Sequence, residues 1–174
     1  MKGVTSYCRI SSTSYAVNGE KVAFGNEGKL TELYRFLTLK YPKFHKMDKL
    51  AKAAFLGVEI LLKHNPQIQE ADDEDIALLF ANSESSDFSD LKFQSSYTEG
   101  ENPSPSQFVY TLPNILMGEL AIRNKWYGES LFFVAPHFQE NEFVENSLIL
   151  FNNDTKICIC GWVDVNKEEI DAFF

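Results

Sequence analysis

The sequence predicts an α/β domain with a mainly parallel sheet and helices on both faces, and three observations carry that expectation. IALLFAN (76–82) and SLFFVA (130–135) are continuously apolar, as strands covered on both faces are. KICICGWVDV (156–165) puts Ile157 and Ile159 on one face and Cys158, Cys160 and Trp162 on the other, so both of its faces are apolar too. Helical periodicity fills the intervals between these runs.

In chain order, KGVTSYCRI (2–10) alternates, with Val4, Cys8 and Ile10 on one face, and reads as the first strand. KLTELYRFLTL (29–39) carries Leu30, Leu33 and Leu37 as a helical stripe. DKLAKAAFLGVEILLKH (48–64) repeats the pattern with Leu50, Ala54, Val58 and Leu61 or Leu62, and Asp48 stands where an N-cap belongs. QEADDEDI (69–76) reads as a solvated turn into the second strand. In TLPNILMGELAIRN (111–124) Thr111 is the expected cap, and Pro113 lies in the first turn, where a missing N–H costs little. ENEFVENSLILFNND (140–154) sets Phe143, Val144, Leu148 and Phe151 on one side. Glu140, Asn141, Glu142, Glu145 and Asn146 give its first turns a wet side, while Leu148–Phe151 is apolar all round and calls for a covering partner. SESSDFSDLKFQSSYTEGENPSPSQF (83–108) reads as a long loop, of the kind that is either functional or poorly ordered.

Composition narrows the function classes. At 174 residues and 44% hydrophobic, the expectation is a single domain, 1–174, with a full apolar core. A formal charge of -9 argues against nucleic acid and against an anionic membrane as partners. MKGVTSYCRISS has no apolar signal core, and no apolar run approaches the roughly 20 residues of a membrane span, so a cytoplasmic setting is expected. Cys8, Cys158 and Cys160 are an odd set, read as free thiols. The CxC pair shares a strand face without good disulfide geometry, and it lacks a second ligand pair for a metal.

The catalytic candidates are weak. Gly118 and Gly128 belong to no phosphate-binding pattern, and no cofactor is expected. Ser85, Ser86 and Asp87 lack the nucleophile elbow of a hydrolase. His45 and His64 flank a helix beside lysines and read as solvated. Trp126 and Tyr127 fit either an exposed contact or an ordinary half-buried loop.

A family resemblance adds to these readings. YPKFHKMDKLAKAAFLGVEILLK (41–63), ANSESSDFSDLKFQ (81–94) and PSPSQFVYTLPNILMGELAIRNKWYGES (103–130) resemble the N-terminal half of a β-ketoacyl synthase. The likeness is to the divergent bacterial kind associated with polyene-type and other polyketide-like synthesis, and it runs from the first strand to about Val165. Its most specific piece is PSQFVYTLPNILMGELAI (Pro105–Ile122), a structural phrase rather than a catalytic one. The resemblance implies a thiolase-like half domain whose four strands lie in the order 3-2-1-4. It also implies a nucleophilic cysteine after the third strand, at the start of the third helix, where the helix N-terminus lowers a thiol pKa.

This sequence departs from that pattern. His137 falls near the cysteine position, and no cysteine lies between Cys8 and Cys158. The family's catalytic histidines belong to a C-terminal half expected beyond DAFF. A base at a helix N-terminus is poorly placed, so His137 reads as a polar helix-start residue and no catalytic residue is assigned. The expectation is a non-catalytic ketosynthase-like accessory or pairing subunit of a fatty-acid or polyketide-type system. The alternatives are an acyltransferase that completes an active site with a partner chain, and an acyl-carrier-protein or acyl-chain binding module. The expected partner is a second copy or a full ketosynthase. The expected interface is the third strand, through Leu131, Phe132 and Phe133, with the helix end at Leu148 and Phe151.

Overall fold

The computed structural model describes residues 3–25, 29–98, 102–152, 155–166 and 169–174. These residues build one seven-stranded sheet in the order β3-β2-β1-β7-β6-β4-β5. The strands are β1 (Cys8–Ile10), β2 (Ser14–Val17), β3 (Glu20–Ala23), β4 (Ile76–Asn82), β5 (Ser130–Val134), β6 (Ile157–Val165) and β7 (Ile170–Phe173). The helices are α1 (Leu30–Phe36), α2 (Lys49–His64), α3 (Asp87–Thr98), α4 (Pro105–Val109), α5 (Ile115–Asn124) and α6 (Glu140–Asn152).

The sheet is mixed rather than mainly parallel. β4 runs parallel to β5 and to β6, whereas β7 is antiparallel to both β6 and β1. The order 3-2-1-4 is therefore corrected. The first two positions hold, since the strand at 130–134 borders the one at 76–82. The next neighbour is β6, and β1 is displaced beyond β7. β6, apolar on both faces, lies directly against the fully buried β4, and the short connection back from Val165 lets β7 cover its other side. β1 then docks on the free side of β7, with Arg9 opposite Phe173.

The first strand is shorter than 2–10. Cys8 and Ile10 are buried, but Val4 is 86% exposed and contributes nothing to the core. β2 and β3 form a hairpin on the remaining edge, with Val17 opposite Glu20. Asn18 and Gly19 make its turn at φ 49° and 89°, the left-handed conformations a tight hairpin asks of an Asn-Gly pair.

α2 is the centre of the larger apolar layer, which it shares with α1, α5 and one face of the sheet. Asp48 caps it as expected, accepting a hydrogen bond from the Ala51 N–H at 2.8 Å. The ring of Phe174 lies on Gly57, where any Cβ would collide with it at 2.0 Å. The smaller layer lies under α6, around Ala77, Leu79, Phe143, Leu150 and Trp162.

Three local expectations are revised. The segment 83–108 folds into α3 and α4 instead of a plain loop. Its apolar pattern is sparse, and hydroxyls anchor it: Ser89 donates to Asp48 Oδ2 at 2.6 Å, and Ser86 to the Thr111 carbonyl at 2.7 Å. Thr111 does not cap α5, because its hydroxyl donates to the Phe108 carbonyl and the cap position falls to Asn114. On α6 the inward residues are Phe143 and Leu150, whereas Val144 and Leu148 face outward. The helix is apolar on two sides, so periodicity alone does not choose which side docks.

Candidate functional site

β5 is an edge strand. Its ladder to β4 runs from Leu78 opposite Ser130 to Asn82 opposite Val134. The Leu78 N–H donates to the Glu129 carbonyl, and the Ala135 N–H to the Asn82 carbonyl. Strand alternation between these points turns the N–H groups of Phe132 and Val134 away from β4, towards the open edge. Phe132 packs into the larger layer and Phe133 into the smaller one. Leu131 and Val134 stay 36% and 53% exposed.

The chain leaves β5 through buried Ala135 and exposed Pro136 and His137, and α6 begins at Glu140. His137 lies in the bend outside the helix, and among the described residues no carboxylate pairs with it. Rings fill the space beneath this strand end. Phe138 meets Phe173 edge-on at 4.5 Å, Phe143 at 5.2 Å and Trp162 at 6.0 Å, and Phe133 lies 5.1 Å from Phe143.

No thiol reaches this place. Cys160 pairs in register with Leu79, which pairs with Leu131, so two strand spacings (roughly 10 Å) separate it from β5. Cys8 lies in the larger layer, its sulfur 3.5 Å from the Gly57 carbonyl, and burial pushes its pKa up to about 12. A thiol held protonated in this way is inert as a nucleophile.

The carboxyl ends of β4 and β6 offer a second place to look, because ligands of open α/β sheets bind where the strand order reverses. Ser83 closes this crevice by donating from its N–H and Oγ to Asp164 Oδ1 at 2.9 and 2.8 Å. Asn82 Nδ2 donates to the Ser85 carbonyl, and the Ser85 N–H returns a bond to Asn82 Oδ1. What remains beside Asp48, Ser86 and Asp164 is about 10 Å³, room for a single water. Burial raises the Asp48 carboxyl above its usual range, and bonds from Ser89 and Ala51 work against that shift. Ser85, Ser86 and Asp87 thus serve the loop, with no histidine beside them.

The remaining singled-out residues separate cleanly. His64 Nδ1 lies 2.9 Å from the Ile60 carbonyl, and the exposed His45 ring packs edge-on to Tyr34 and Phe44. Trp126 is buried and Tyr127 is 71% exposed, so only the second is a contact candidate. Among the described residues no group of three or more His, Cys, Asp or Glu could hold a metal, and no helix is long and apolar enough to cross a membrane.

Two side chains of Pro105–Ile122 form a buried clamp with Lys43. Glu119, only 4% exposed, accepts a hydrogen bond from the Tyr110 hydroxyl at 3.0 Å. Lys43 Nζ lies 2.8 Å from its other oxygen, an ion pair rather than a well-directed hydrogen bond. Burial, then the Glu119 charge, raises the Tyr110 pKa. The clamp ties the 3-10 turn at Pro42–Lys46 to α5.

Comparison with known proteins places this geometry. No protein-family model matches the sequence. No curated protein matches it either. Among solved structures, the chain is similar to a ketosynthase (ApeO) in complex with its chain length factor (ApeC) from Xenorhabdus doucetiae. The TM-score is 0.66 at 11% identity, covering 98% of this chain and 75% of that one. The fold is ketosynthase-like. A second similar structure is AntDE:AntF, a type II PKS acyl-carrier protein in complex with its ketosynthase bound to the hexaketide. There the TM-score is 0.62 at 13% identity, covering 95% of this chain and 51% of that chain, so this ketosynthase-like chain spans about half of its length.

Proposed function

We propose that this ketosynthase-like chain is a non-catalytic pairing subunit of a fatty-acid or polyketide-type synthase system, polyene synthesis included, and that its partner in the cytoplasm is a full ketosynthase. The open edge of β5 carries this reading. An apolar strand with outward N–H and C=O groups is rarely left bare in a folded protein, because it templates pairing with another chain. Leu131, Phe132 and Phe133 form that edge, and Val144, Leu148 and Ile149 add outward apolar surface on α6, with half-buried Phe151 at its end. An antiparallel partner strand would satisfy the free groups of β5 and merge two sheets into one.

The two solved complexes support the pairing half of the proposal, since each contains a ketosynthase with another chain. The absence of a thiol at the strand end and the ring cluster beneath it support the non-catalytic half. Self-pairing through the same strand would be isologous and would close as a dimer.

Sedimentation of the purified chain alone, and then with a ketosynthase encoded beside it, tests the pairing. The expected result is a complex in equal proportion with the ketosynthase that outcompetes any self-dimer. A chain that stays monomeric beside that ketosynthase refutes the heteromeric reading. Intact mass after incubation with acyl thioesters tests the chemistry, and a stable acyl adduct within residues 130–145 would favour the acyltransferase alternative.

A further inference from the structure

β6 sets two thiols side by side on the face that packs against α6. Cys158 and Cys160 are two residues apart, their sulfurs are 3.7 Å from each other, and both side chains are half-buried. They border the small layer that holds Leu79, Leu150 and Trp162. A hydrogen bond joins the two sulfurs, and either thiol can donate it. Cys8 gives an internal contrast, since it is fully buried in the other layer.

Spacing decides what such a pair can do. Two residues of extended strand advance by roughly 6.6 Å, near the upper end of the Cα separations that a disulfide spans. A bond closed there needs a local adjustment of β6, and bonds closed against strain are the readily reduced ones. We propose that Cys158 and Cys160 form a reversible dithiol–disulfide site, oxidised by exchange with a low-molecular-weight disulfide such as glutathione disulfide.

The exchange takes two steps. One of the two thiols, as its thiolate, attacks one sulfur of glutathione disulfide; a cysteine–glutathione bond forms, the glutathione S–S bond breaks, and the first glutathione leaves as a thiolate. The other thiol then gives its proton to solvent and attacks the sulfur of the first cysteine, closing the intrachain bond and releasing the second glutathione. The two cysteines lose two electrons and two protons, and glutathione disulfide gains them as two molecules of glutathione.

The full chain, equilibrated with graded ratios of glutathione disulfide to glutathione, is read by intact mass and by peptide mapping. The expected product lacks two hydrogens, bridges Cys158 to Cys160, and reopens when glutathione is in excess. Cys158→Ser and Cys160→Ser are each expected to stop at a single glutathione adduct on the remaining thiol. Cys8→Ser should behave as the parent. Absence of a bridged product in the folded parent overturns the proposal, as do stable adducts on both thiols without closure. A bridge that excess glutathione does not reopen overturns its reversibility.

Discussion

β3 and β5 are the two edges of one sheet, and their side chains treat the open ladder in opposite ways. β3 is four residues long and begins Glu20-Lys21, both exposed. Charges on a short edge strand disfavour pairing with another chain, because a partner strand would have to desolvate them. β5 is Ser-Leu-Phe-Phe-Val, without a charge, and it leaves the outward N–H groups of Phe132 and Val134 available. One edge is protected against association and the other is not. The difference marks β5 as the edge that charge does not protect.

Four experiments sharpen or break this contrast. The largest effect is expected from the strand that supports both layers next to β5. Leu79 is fully buried, and Leu79→Asp would place an unpaired charge under α6. The expected loss is at least about 4 kcal/mol, a large share of a domain's stability, seen as loss of the cooperative thermal transition by circular dichroism. Phe133→Asp, against the Phe143 ring, should behave similarly but less severely, since β5 is half-buried.

Val134→Pro comes next, and it addresses the edge itself. Val134 is exposed, so proline there removes an outward donor while sparing the apolar layers. Association with the proposed ketosynthase partner should weaken by at least about tenfold, or about 1.4 kcal/mol, with little change in melting temperature. Phe132→Pro removes the same kind of donor but also takes a ring from the larger layer, so its expected loss of stability is greater. An association unaffected by Val134→Pro would move the interface to the outward face of α6 around Leu148.

The converse change tests the protected edge. Replacing Glu20 and Lys21 together by Val should give concentration-dependent self-association in light scattering, with the native sheet retained. If the double variant stays as dispersed as the parent, charge is not what protects β3. The smallest effect is expected at Glu70→Asp, on an exposed 3-10 turn far from either edge, where stability should change by less than about 0.5 kcal/mol.

Much of this was legible in the residues. The continuous apolar runs located β4, β5 and β6, and Asp48 marked the start of α2. The phrase that contains Tyr110 and Glu119 reads as structural, and the two side chains meet in a buried hydrogen bond. The Asn18-Gly19 pair is also a hairpin signal, and it announces β2 and β3. β7 carried no such signal, since four residues with a charged centre do not stand out as a strand.

What the sequence by itself determined was local: which segments are apolar, which residues can cap or turn, and which reactive groups are absent. The tertiary structure alone decided the order of the strands, the side of α6 that docks, and the meeting of Lys43, Tyr110 and Glu119. Those outcomes depend on competition between distant segments. β6 lies directly against β4 with β7 on its other side, and α6 packs Phe143 and Leu150 inward on the layer that holds Phe133 and Trp162. Periodicity within one segment holds no record of such partners, so it fixes that a face is apolar without fixing what covers it.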